Sequence, residues 1–90
     1  MKKETMYIGE IIKRLRFSKQ FNQEELAFRS GLGRTIISYI ETNVQAPSLS
    51  TTFALAKGFG IKASELIKEI EDNPELIVLK EKESKNRFTK

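Results

Sequence analysis

The ninety residues contain no cysteine and no histidine. Without cysteine there are no disulfides and no thiolate metal sites, which fits a reducing cytoplasm. Without histidine or cysteine, the usual general bases, nucleophiles and metal ligands are missing. Catalysis would have to rest on carboxylates and hydroxyls. The carboxylates fall mostly at solvent-facing helical positions, such as Glu24, Glu65 and Glu69. The expectation is therefore a protein that is not an enzyme, with no metal and no cofactor. There is also no apolar run of about twenty residues, as a membrane helix needs. The segment MKKETMYIGEII has the lysines of an export signal but no continuous apolar stretch after them. The expectation is a cytoplasmic protein with no membrane association. No internal repeat, low-complexity linker or second, ligand-sensing domain is visible.

What is present is one domain's worth of chain, 39% apolar, with a formal charge of +4. That charge is unevenly placed. Residues 1–34 hold eight Lys or Arg against four Asp or Glu, whereas residues 35–90 hold eight of each. A basic half points to a polyanionic partner.

The stretch NQEELAFRSGLGRTIISYIE, residues 22–41, reads as two short helices joined by a glycine turn. Asn22 suits the N-cap of a helix over about 23–30, with Glu25 as the reciprocal member of a capping box. Gly31 stands where the chain must turn through left-handed geometry. A second helix, over about 34–42, places Ile37 and Ile40 on its buried side. Arg34, Thr35, Ser38 and Tyr39 are left on another face, one that can donate and accept hydrogen bonds. This is the layout of a helix-turn-helix reading the DNA major groove.

Around that pair the periodicity predicts three more helices. The first runs from about Tyr7 to Ser18, with Ile8, Ile11, Ile12 and Leu15 inward. Phe21 packs inward from the link that follows. The fourth opens at Pro47 and ends near Gly58. The fifth spans about 63–71, with Leu66, Ile67 and Ile70 facing in. Asn43 suits left-handed geometry after the third helix. Beyond residue 71 the composition turns charged. Asn73 and Pro74 suggest a short sixth helix, and LIVL (76–79) reads alternatively as a strand. The end, beyond Ser84, is expected to be mobile. The fold class is thus all-α, a five-helix domain over residues 1–71 with a short charged extension over 72–90 that is a candidate dimer element.

An ordered series of segments resembles the XRE-type, phage-repressor-like helix-turn-helix family over about residues 8–71. The segments are IKRLR (12–16), NQEELA (22–27), SGL (30–32), RTIISYIE (34–41), APSL (46–49), LAKGFGI (55–61) and SELI (64–67). Within the family the chain looks most like the controller proteins of restriction–modification systems. The resemblance implies base contacts from Arg34, Thr35, Ser38 and Tyr39. Arg34 is long enough to fork onto guanine, and its alternative is a phosphate contact. Tyr39 can instead pack on the helix flank. Ile36 occupies a position where relatives often carry an aromatic, and on this reading it touches thymine methyls.

Phosphate contacts are implied for Gln23, at the start of the second helix, and for Thr42, Asn43, Gln45 and Ser48 in the loop after the third. That loop is neutral where many relatives carry Lys or Arg, so a shallow salt dependence is expected. Arg16 and Glu41 are implied to be a structural ion pair. In the fourth helix, relatives place leucine at position 52 and a charge at 53, whereas this chain has Thr52 and Phe53. Two explanations stand: a rotation that buries Phe53, or an apolar dimer contact.

The function implied is a sequence-specific transcriptional regulator binding double-stranded DNA as a homodimer on a palindromic operator. Its half-sites would be centred roughly 34 Å apart. The alternative is an antitoxin-like module that binds a protein partner encoded nearby, using the neutral fourth helix and the LIVL tail.

Overall fold

Five helices and a two-stranded ribbon make up the computed structural model, which describes residues 3–82. The helices are α1 (Gly9–Ser18), α2 (Gln23–Ser30), α3 (Arg34–Glu41), α4 (Leu49–Phe59) and α5 (Ala63–Asp72). Strands β1 (Lys3–Tyr7) and β2 (Val78–Lys82) flank them and pair with each other.

Local chemistry sets most of the boundaries. Asn22 Oδ1 accepts the Glu25 N–H at 2.7 Å, so α2 begins at Gln23. The capping box is not reciprocated, because the Glu25 carboxylate turns instead to Arg29 at 2.7 Å. Gly31, at φ 78°, ends α2 in the left-handed geometry the turn requires, and Asn43 takes φ 61° after α3. Ser48 Oγ accepts the Thr51 N–H at 3.1 Å. Ser48 is therefore the cap of α4, and Pro47 lies before the helix instead of opening it. The helix runs on to Phe59, past Gly58. Helix α1 starts at Gly9 and not at Tyr7, because Tyr7 belongs to β1.

Each helix contributes to one core. Ile12, Leu26, Ile37, Ile40, Leu55 and Leu66 are fully buried. Each is worth about 1.5–3 kcal/mol relative to exposure. Phe21 packs against this core from the α1–α2 link. Ile67 does not face in as expected. It is 42% exposed, because α5 turns Leu66 and Ile70, four residues apart, toward the core.

Helices α1 and α3 meet end to end. A Cβ on Gly9 would overlap the carbonyl oxygens of Ile40, at 2.5 Å, and of Glu41, so only glycine fits. The Gly9 N–H donates to Asn43 Oδ1 at 2.9 Å. The positive end of α1 thus sits on the negative end of α3, a favourable arrangement of helix dipoles.

The two readings of the 73–79 segment divide it between them. A 3-10 turn covers Pro74–Leu76, and the strand begins at Val78. Leu76 and Ile77 pack against the core. Strand β2 runs antiparallel to β1, with Tyr7 opposite Val78, Met6 opposite Leu79 and Thr5 opposite Lys80. The five-helix body is the all-α fold implied by the sequence, and the ribbon is added to it. The segment beyond Ser84 lies outside the described residues.

Candidate nucleic-acid interface

The mount of α3 is a buried polar network. Arg16 Nε donates to Glu41 Oε2 at 2.6 Å and Nη2 to Oε1 at 3.0 Å, a two-pronged pair. The side chains are 9% and 1% exposed. Arg16 Nη1 donates to the carbonyl of Phe21 at 2.9 Å, fixing the link into α2. Gln23 Nε2 donates to Glu41 Oε1 at 3.1 Å. Every buried side-chain nitrogen and oxygen among the described residues has a partner. The hydrogen bond with Glu41 raises the Arg16 guanidinium above its ordinary pKa, burial opposes the rise, and the charge of Glu41 reinforces it. A basic group raised in this way stabilises the fold below its unfolded pKa and loses that contribution only above it. Arg16 is therefore charged throughout the neutral range.

This network aims the outer face of α3. Arg34, Thr35 and Tyr39 are exposed and Ser38 is half-buried. With Gln23 they line one open concavity of about 260 Å³. A second, adjoining hollow is lined by Asn22, Gln23, Glu24 and Arg34. The Gln23 amide is not solely a surface group, since one of its N–H donors is already engaged by Glu41. Its carbonyl and remaining N–H are left to the concavity. Ile36 does not line this concavity. It is half-buried and packs against the core, one turn before the buried Ile40.

The loop residues have mixed duties. Thr42 is exposed, and its hydroxyl donates to the Ser38 carbonyl at 2.8 Å. The side-chain oxygen of Asn43 holds Gly9, as described. Gln45 is half-buried, with its backbone N–H on the Tyr39 carbonyl at 3.2 Å. Ser48 caps α4. Lys80 of β2 also arrives here: its Nζ is 3.3 Å from the Asn43 carbonyl oxygen and 4.6 Å from the centre of the Tyr7 ring. Neither Gly9 nor Lys80 stood out in the sequence, because both meet α3 only through long-range packing.

On α4 the burial is inverted at two neighbouring positions. Thr52 is buried, with its hydroxyl on the Ser48 carbonyl at 2.8 Å. Phe53 is 58% exposed, so rotation of the helix does not bury it. Leu49, one turn earlier, is 72% exposed. Lys57 is the only charged residue of this helix.

Comparison with known proteins converges on the same architecture. The Helix-turn-helix family model HTH_3 matches residues 12–66. The chain is 37% identical over 62 residues to the cryptic phage CTXphi transcriptional repressor RstR of Vibrio cholerae. That match takes in 69% of this chain and 56% of the repressor, so it spans little more than half of that relative. The controller protein C.AhdI from Aeromonas hydrophila superposes with a TM-score of 0.62 at 36% identity, over 66% of this chain and 89% of the other. The wild-type controller protein C.Esp1396I gives a TM-score of 0.68 at 28% identity, over 74% and 86%. No helix among the described residues is long and apolar enough to cross a membrane.

Proposed function

The chain belongs to the XRE-type helix-turn-helix family of transcriptional regulators, and from that premise we propose that it binds a palindromic DNA operator as a homodimer, reading base edges with α3. The observation that carries the reading is the concavity shared by Gln23, Arg34, Thr35, Ser38 and Tyr39 on a helix held by a buried ion pair. A base reader must be held within a fraction of an ångström, and this one is braced from behind by Arg16 and Glu41. Arg34, at the leading end of α3, forks onto guanine O6 and N7, and Thr35 and Ser38 approach neighbouring bases. Tyr39 offers its hydroxyl at the far rim. Gln23 and Thr42 contact phosphates on either side. Asn43 and Ser48 assist through backbone and remaining side-chain groups, because their side chains also serve the fold, and the Gln45 side chain assists from the same loop.

The homodimer is assigned to the outer face of α4, whose single charged residue is Lys57, one turn after Phe53. Phe53 and Leu49 form an apolar surface that a second copy covers, and two-fold pairing matches a palindromic site. An antitoxin-like role draws less support from the structure. Leu76 and Ile77, the start of the apolar tail it would use, are spent on the core.

The test is selection of operators from random DNA, together with sedimentation of the free protein. The proposal requires an inverted repeat with half-sites one helical turn, roughly 34 Å, apart, and a dimer in solution. Recovery of unrelated sequences, or of a single half-site with a monomeric protein, would reject it.

A further inference from the structure

We propose that Lys80 on β2 contacts the DNA backbone, supplying the positive charge that the loop after α3 lacks. This rests on the DNA-binding reading above. Residues 42–48 contain no charged side chain. Lys80 reaches them from 37 positions along the chain, with its ammonium 3.3 Å from the Asn43 carbonyl oxygen and 4.6 Å from the centre of the Tyr7 ring.

An ammonium carries three donors. One is directed at Asn43. The Tyr7 ring faces the same ammonium. Lys80 is nonetheless exposed, and among the described residues no carboxylate pairs with it, so its solvent side is open to an anion. The contact with Asn43 places this charge at the trailing end of the recognition helix. Helix dipole attraction alone would draw a cation there. The neutral loop is thus compensated from the strand, and the salt dependence of binding is steeper than the loop alone implies.

The experiment measures binding of the full chain to a selected operator and to a random duplex across salt concentrations. The slope of log K against log salt changes by about 0.9 for each phosphate neutralised. Lys80→Gln is expected to make the slope shallower by about one unit on both duplexes, with base preference unchanged. Lys80→Arg should keep the parent slope. Lys68→Gln, on α5 and already paired with Asp72 at 2.9 Å, should leave it unaltered. If thermal melting shows that Lys80→Gln has lost the fold, Lys80→Met replaces it, an unbranched side chain of similar length without the charge. An unchanged slope with DNA binding intact overturns the proposal and leaves Lys80 as a cap on α3. An altered base preference overturns it too, by making Lys80 a base contact. If the parent chain binds neither duplex, the DNA-binding reading itself fails, and the two failures are told apart.

Discussion

Helices α3 and α4 are neighbours in sequence and opposites in what they offer. Helix α3 buries Ile37 and Ile40 and turns hydroxyls and a guanidinium outward, as an amphipathic helix in water should. Helix α4 does the reverse at its middle, burying the Thr52 hydroxyl and exposing the Phe53 ring. The first surface suits a wet, charged partner read by hydrogen bonds. The second suits a dry one. A single five-helix body thereby carries two faces with different chemistry, each tied to the other through a shared core.

The largest effect should come from removing the mount of the polar face. Glu41→Ala leaves Arg16 buried without its counter-charge and is expected to cost about 3–5 kcal/mol of stability, measured by chemical denaturation. A loss below about 1 kcal/mol would mean that water readily replaces the carboxylate. Next, Arg34→Ala should weaken binding to the selected operator by about 1–3 kcal/mol while leaving random DNA nearly unaffected. Equal losses on both duplexes would make Arg34 a phosphate contact. On the apolar face, Phe53→Glu should weaken self-association at least tenfold, or about 1.4 kcal/mol, by sedimentation. An unchanged dimer would show that the exposed ring belongs to another surface. The smallest change is expected of Thr52→Val. The Ser48 carbonyl keeps the Thr52 backbone N–H at 2.9 Å, so losing the hydroxyl should alter stability by no more than about 1 kcal/mol. A larger loss would show that the buried hydroxyl anchors the start of α4.

What could be read from the sequence follows the range of the interactions involved. Asn22, Gly31 and Asn43 act on their own backbone within a few residues, and helix α2 falls at the residues their chemistry indicates. The inward isoleucines of α1 and α3 follow from helical spacing. The side-chain bond from Asn43 to Gly9 has no local signature, because it joins positions 34 apart. The same holds for Gln23 and Glu41, 18 apart, whose contact ties a surface residue to the scaffold. The family pattern places Ile36 toward DNA, and its four-residue offset from Ile40 also packs the half-buried side chain against the core. The ribbon was hardest to see. KETMY has the length of a strand but not its clear alternation of apolar and polar residues, and only its distant partner makes it one.

The ribbon has a consequence in time. It joins residues 3–7 to residues 78–82, the widest separation along the chain of any pairing among the described residues. Closing so long a loop gains nothing until the helices between have gathered its ends. Strand β1 is therefore expected to pair with β2 only after the five helices between them have packed. By the same logic the ribbon is the first unit to open in the native state, and its amides should exchange with solvent faster than those of Ile12 or Leu55.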